Sequence, residues 1–300
     1  MTELSHKILS HYQIRKTKKQ KLAFIELLQK HFPELQVQTG GIPKSRNIII
    51  GDVSNAKILL SAHYDTCAWL PIPNLVTPKN FILSLLYSII MLLPVILITV
   101  LAGQLFSNLL IRYYFCLFLW FGAIVLMLAG PANKHTANDN TSGVITLLEI
   151  LQTMSPEERK SVTIVLFDNE ELGLWGSSYF RSKYKKDVAE TLIINYDCVS
   201  DGDHMLFAVS KAARPELDTI LHDTYTAQDG IHPMIEKAEK VYYPSDQANF
   251  KKSIAVASLK HNKLIGYYMD RIHTSKDTVF CERNIEYLRE KTIEFLNRYT

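Results

Sequence analysis

The sequence predicts an α/β domain of three layers, α/β/α, built on a mostly parallel central sheet and interrupted by a two-helix apolar hairpin. Two observations predict the sheet. Short β-branched runs, SVTIVLF (161–167) foremost, are too short to be helices and apolar enough to be buried on both faces. Three such runs end in a histidine or a carboxylate, and α/β sheets hold their ligands at the carboxyl ends of strands. A third observation predicts the hairpin. No acidic residue lies between Asp65 and Asp139, and two long apolar runs fall inside that gap.

Composition sets the outer limits. A chain of 300 residues allows one large or two medium domains with a sizeable core. The net charge of +3 is too small for a nucleic-acid binder. The cysteines, Cys67, Cys116, Cys198 and Cys281, show no CxxC spacing, so neither a thiolate zinc site nor a disulfide framework is indicated. The first twenty residues are basic but have no apolar core, and no secretory signal is expected.

Taken in order, residues 4–32 carry apolar positions at helical spacing (Phe24, Leu27, Leu28) with a basic stretch between, and predict one or two amphipathic helices. Gly40 and Gly41 break that pattern. NIIIG (47–51) and KILLSA (57–62) are strands, the second ending in His63, Tyr64, Asp65 and Thr66. A histidine two residues before an aspartate suits a metal ligand and the group that orients it.

The apolar runs cover residues 81–102 and 113–129, with Arg112 just ahead of the second. A helix needs about 20 residues to cross a bilayer core, and soluble core helices rarely stay apolar on every face for so long. The pair therefore predicts a transmembrane hairpin through residues 81–129, joined by a tight connection at 103–108, with Pro94 a site for a kink.

Past Pro131 the polar pattern returns. Asp139 precedes a helix beginning near Val144, where a capping role is its simplest reading. The strand ending at Phe167 delivers Glu170 and Glu171, adjacent acids that can serve two roles, one on a metal and one on a proton. A helix follows around 175–183, and TLIINY (191–196) delivers Asp197. Strands at 205–209 and 253–259, helices at 215–225 and 285–299, a loop with a short helix at 244–250 and a polar stretch at His273 complete the alternation.

His63, Asp139, Glu171, Asp197 and His273 supply two imidazoles and three carboxylates, with Glu170 over. Two neighbouring divalent ions sharing one bridging carboxylate call for such a set. With SAHYDT (61–66), ANDNTSG (137–143), DNEELGLWGS (168–177), NYDCVSDG (195–202) and HTSKDT (273–278), the chain resembles the M28 family of co-catalytic zinc peptidases, best known as aminopeptidases. The resemblance implies two zinc ions, one on His63, Asp139 and Asp197 and one on Asp139, Glu171 and His273. It makes Asp139 the bridge, Glu170 the general base and Asp65 the residue that orients His63, and it suggests a cis peptide at Asp139-Asn140. On this reading residues 1–78 and 132–300 form one peptidase domain, and 79–131 are an inserted hairpin. Two positions depart from the family pattern. Gln247 stands where a histidine is common, and Ile272 stands where some members have an oxyanion-stabilising tyrosine, for which Tyr267 or Tyr268 could substitute.

The expected function is a membrane-anchored zinc metallopeptidase acting on peptides, removing N-terminal residues. Carboxypeptidase action, glutaminyl cyclisation and a receptor or scaffold on a dead peptidase fold are the rivals; the complete ligand set disfavours the last two, since the resemblance implies a single zinc for cyclases and lost ligands for a dead fold. Lys79 and Lys134 flank the hairpin on the domain side, and free cysteines lie near the proposed ligands, so the catalytic domain is expected to be cytoplasmic.

Overall fold

Two capped helices open the computed structural model, which describes residues 1–299. Helix α1 (Glu3–His11) is capped by Thr2, and α2 (Lys18–His31) by a reciprocal box between Thr17 and Gln20. The basic residues Arg15 and Lys16 thus lie in the joint between two helices. A hairpin of antiparallel strands follows, β1 (Gln36–Gly40) and β2 (Ser45–Ile50). Only the second was expected, because β1 reads QVQTG and is a half-exposed edge strand whose extended form rests on pairing with β2.

Strand β3 (Ile58–His63) is buried along its whole length. The chain then leaves the domain as α3 (Phe81–Gly103) and α4 (Leu109–Ala129). It returns through a wide turn, Ala137–Ser142, into α5 (Gly143–Thr153) and the single turn α6 (Glu158–Ser161). Next come β4 (Val162–Phe167), α7 (Trp175–Lys183), β5 (Leu192–Tyr196), β6 (His204–Val209) and α8 (Arg214–Thr224). Strands β7 (His232–Lys237), β8 (Ser253–Asn262) and β9 (Gly266–Tyr268) and the closing helix α9 (Glu282–Tyr299) finish the chain. Like β1, the unexpected β7 and β9 are half-exposed and lack an apolar run.

The strands form one mixed sheet in the order β1-β2-β4-β3-β5-β8-β6-β7, with β9 paired to β8. The central strands β4, β3, β5 and β8 are parallel, and antiparallel pairings occur at β1/β2, β2/β4, β6/β8 and β8/β9. The expected parallel sheet is therefore the centre of the sheet, and it is this centre that carries the candidate site. Period-two alternation sorts the core. Ile58, Leu60, Ile164 and Ile194 face α1, α2, α5, α8 and α9, while Leu59, Val165 and Ile193 face Phe180 of α7 and Phe250.

Helices α3 and α4 are long and apolar enough to cross a membrane, and their most apolar windows are wholly unburied. At 1.5 Å per residue the shorter spans roughly 30 Å, the thickness of a bilayer core. They pack against each other, Cys116 Sγ lying 3.6 Å from the Thr99 carbonyl and the Phe106 ring 4.8 Å from that of Phe115. Helix α4 starts four residues before the apolar run at 113. Asn108 caps it by accepting from the Leu110 and Ile111 amides at 2.9 and 3.2 Å, and Arg112 donates from within the first turn to the Phe106 carbonyl at 2.9 Å. At the domain end, Trp69 N–H donates to the Pro131 carbonyl (2.8 Å) and Lys16 Nζ to that of Leu128 (2.7 Å). The base of the hairpin thus lies against the segment that follows His63.

Candidate metal centre

Three neighbouring parallel strands end side by side, and their exits carry the polar residues singled out in the sequence. His63 is the last residue of β3, Glu170 and Glu171 follow β4, and Asp197 follows β5. Asp139 comes from the turn before α5, and His273 from the loop after β9. The structure brings all six together. His63 Nε2 lies 3.3 Å from Asp139 Oδ1 and 3.4 Å from Asp197 Oδ1. His273 Nε2 lies 3.0 Å from Asp139 Oδ2 and 3.3 Å from Glu171 Oε2. The two oxygens of Asp139 are therefore divided between two ligand groups.

These separations can be tested against zinc. Tetrahedral bonds of about 2.0–2.1 Å place neighbouring donors about 3.3 Å apart, and the four measured distances straddle that value. Tautomer agrees. Asp65's carbonyl can only accept, so the 3.0 Å contact fixes the His63 proton on Nδ1 and leaves Nε2 a lone pair for a cation. Buried oxygens agree as well, since Glu171 Oε1 and Asp197 Oδ1 have no hydrogen-bond partner, which is costly for a carboxylate without a cation. Donor types, spacing and unpartnered oxygens all fit zinc. Glu170, His63 and Glu171 also offer ligand atoms within 4.8 Å of one another, so Glu170 lies beside members of both ligand groups.

Electrostatics lead to the same conclusion. The protein alone balances its surplus of buried carboxylates only by holding protons. Burial and neighbouring acids raise Glu171 to about 8 and Asp246 to about 7, and lift Glu170 well above the usual carboxylate range. Burial opposes protonation of His273, yet Glu171 and Asp139 raise it to about 10. Divalent cations would balance the same charge without those protons.

The motifs around the ligands are a scaffold. The carboxylate of Asp65 accepts the amides of Glu170 (3.0 Å) and Glu171 (3.3 Å), while it stands 3.7 Å from His63 Nδ1. Asp65 therefore holds His63 through its backbone carbonyl and uses its carboxylate to fix the acid pair. Asn140 donates to the Tyr196 carbonyl at 2.9 Å and accepts from the amides of Gly143 and Cys198 at 3.0 and 3.2 Å, tying the Asp139 turn to the exit of β5. A Cβ at Gly143 would lie 2.3 Å from the Tyr196 carbonyl, so only glycine fits. The Asp139-Asn140 peptide is cis, as the resemblance implied. His273 itself has φ +63°, a left-handed backbone rare outside glycine and typical of constrained functional positions.

Several residues that build this centre were not singled out in the sequence. Asp277 accepts the amides of Asn138 (2.8 Å) and Asp139 (3.0 Å), a role hidden in a polar stretch. Lys21 of α2 pairs with Asp168 and donates to Asn169 Oδ1 at 2.7 Å. Arg15 is fully buried, donating to the Tyr64 carbonyl and, at 3.1 Å, to Thr141. Cys67, set aside for want of a CxxC partner, offers its sulfur within 4.8 Å of ligand atoms of Asp139, Glu171 and His273. Gln247 is bound on both ends, to Asn195 (3.1 Å) and the Tyr243 carbonyl (2.7 Å), and is part of the frame. Ile272 is buried in the apolar cluster beside β8, while Tyr267 faces Lys79, His204 and His261, and Tyr268 faces Lys260.

Comparison with known proteins gives the following. The sequence profile of Peptidase family M28 matches residues 121–289, more than half of the chain. Curated protein sequences gave no match. Among solved structures, a glutaminyl cyclase from Porphyromonas gingivalis superposes with a TM-score of 0.60 at 16% identity, over 99% of this chain and 98% of that one. A Zn-dependent exopeptidase from Parabacteroides distasonis gives 0.57 at 14% identity, over 98% and 94%. The LapA aminopeptidase of Legionella pneumophila gives 0.57 at 13% identity, over 98% and 68%. At such identities the likeness is one of fold.

Proposed function

Because the chain belongs to peptidase family M28, we propose that it is a membrane-anchored metallopeptidase that uses two zinc ions to remove N-terminal residues from peptides. The observation that carries this reading is the division of the Asp139 oxygens, Oδ1 toward His63 and Oδ2 toward His273. His63, Asp139 and Asp197 would hold one zinc, and Asp139, Glu171 and His273 the other. When bound, the zinc ions supply Lewis-acid polarisation of a water and of the scissile carbonyl.

The remaining work falls to the chain's own side chains. Glu170 is the general base and then the acid, taking a proton from the attacking water and returning it to the leaving amine. Burial and the neighbouring acids Glu171 and Asp197 raise its proton affinity, as a group that takes up a proton requires. Asp65 holds the backbone of Glu170, so the base cannot drift from its place beside His63. The aminopeptidase reading draws support from the likeness to LapA and to the exopeptidase. Glutaminyl cyclisation is the second reading, favoured by the likeness to the Porphyromonas enzyme. Metal analysis with a panel of free, N-blocked and N-terminal glutaminyl peptides separates them. Shortening of free N-termini alone supports the peptidase. Equal cleavage of blocked peptides sinks N-terminal trimming, and ammonia release without shortening identifies a cyclase.

Residues 1–78 and 132–300 make up the catalytic domain, and 79–131 form the anchor that places α3 and α4 in the bilayer. Lys79 and Lys134 on the domain side, and the free thiols of Cys67 and Cys198, support a cytoplasmic domain. Protease added outside intact cells should spare the domain and inverted vesicles should expose it; digestion from outside refutes the orientation.

A further inference from the structure

The three-residue group Asp139, Glu171 and His273 has a fourth neighbour. Cys67 lies two residues beyond Asp65, is 2% exposed, and its sulfur stands within 4.8 Å of a ligand atom on each of the three. The segment is pinned on both sides. The Cys67 carbonyl accepts from Asn133 N–H at 3.2 Å, and Leu70 N–H donates to the carbonyl of His273 itself at 2.9 Å. A buried, unpartnered oxygen of Glu171 independently marks this position as one that awaits a cation.

We propose that Cys67 is a fourth protein donor to the metal position formed by Asp139, Glu171 and His273, giving that position a sulfur ligand. The inference rests on the zinc reading above. On binding, the thiol gives its proton to solvent and the sulfur lone pair forms the bond to the metal. The position on His63, Asp139 and Asp197 would have no sulfur donor, so the two positions would differ in donor set. The sulfur-bearing position favours borderline and soft ions such as zinc, cobalt and cadmium over magnesium or manganese.

Cobalt(II) loading of the full-length, detergent-solubilised protein tests this without reference to activity. The wild type should show a thiolate-to-cobalt charge-transfer band in the near ultraviolet. Cys67→Ser should lose the band while still binding cobalt, and Cys198→Ser should keep it. The wild-type spectrum stands even if a variant folds poorly, and Cys67→Ala provides a second replacement that keeps the site apolar. Cobalt bound by the wild type without the band overturns the Cys67 assignment alone. A band that survives Cys67→Ser and disappears in Cys198→Ser does the same, while failure to bind cobalt at all removes the zinc reading along with it.

Discussion

Replacing Lys21 by methionine should destabilise the catalytic domain even though Lys21 contributes no metal ligand and no proton. Its ammonium and the Asp168 carboxylate are buried together, with side chains 8% and 1% exposed. Methionine keeps most of the stem and removes only the charge. Asp168 still accepts the Arg46 amide at 2.8 Å, but it is left as a buried anion facing Asp65. Breaking such a pair from one side costs about 3–5 kcal/mol, a large part of a typical stability of about 5–15 kcal/mol. The midpoint of thermal unfolding should fall by on the order of 10 °C. Tryptophan fluorescence of the solubilised, metal-free protein reads the transition, and Trp175 lies in the segment that Asp168 opens. The sign of the pH dependence is a stricter check. Burial, then Asp65, already raises the Asp168 carboxyl despite Lys21, and removing Lys21 raises it further. An acid whose folded value lies above its unfolded value of about 3.9 destabilises the fold as pH rises and loses that penalty as pH falls. The deficit of the variant should therefore shrink on acidification, and Lys21→Met with Asp168→Asn should cost less than the sum of the two changes. A pH-independent deficit below about 1 kcal/mol would refute the reasoning and leave α2 held by its apolar residues Phe24, Ile25, Leu27 and Leu28.

Three further outcomes follow from the site and its supports. Glu170→Gln should retain its metals and lower turnover by at least about a hundredfold; loss of metal from this variant would show that Glu170 is a ligand. Asp277→Ala strips the acceptor from two buried amides and should cost about 2–6 kcal/mol, with weaker metal retention by calorimetry, and unchanged stability would mean that the Asp139 turn holds itself. Glu149 accepts from Thr2 N–H (2.7 Å), Thr2 Oγ1 (2.8 Å) and Ser5 Oγ (2.6 Å). Burial works to raise this carboxyl, but the hydrogen bonds from Ser5 and Thr2 outweigh it and hold it below its ordinary value. That stabilisation is complete above the unfolded value of about 4.3 and is lost as pH falls through the folded value. Amide exchange in α1 should accelerate only in that acidic window, and Glu149→Gln should abolish the transition.

The centre of the molecule was legible because its signals are local. A run such as VTIVLF has to be a buried strand, and an acid at its exit has to lie at the ligand end of a parallel sheet. Helix α3 was legible for the same reason, its apolar composition alone marking both ends. The edges were not, since β1, β7 and β9 take their form from a partner strand and carry no apolar alternation. The supports of the site were equally hidden. Lys21 and Arg15 sit in a basic stretch that looks solvated, and only the packing of α2 beneath the β4 exit turns Lys21 inward. Cys67 was discounted because sequence spacing tests for neighbouring thiols, while its neighbours here come from three distant loops.

The hairpin divides the chain immediately after β3, yet β3 lies between β4 and β5, both of which come later in the chain. During synthesis, therefore, the N-terminal segment emerges with neither neighbour of its central strand available. It has to wait, unpaired, until α3 and α4 have been made and the chain has turned back. His63 waits with it, since Asp139, Glu171, Asp197 and His273 all follow the hairpin. Long-range pairing of this kind is slow and leaves strand edges exposed, so the nascent chain is a candidate for chaperone binding until β4 and β5 have been made. The cluster of His63, Asp139, Glu171, Asp197 and His273 is therefore completed late, only after the chain has come back from the two apolar helices.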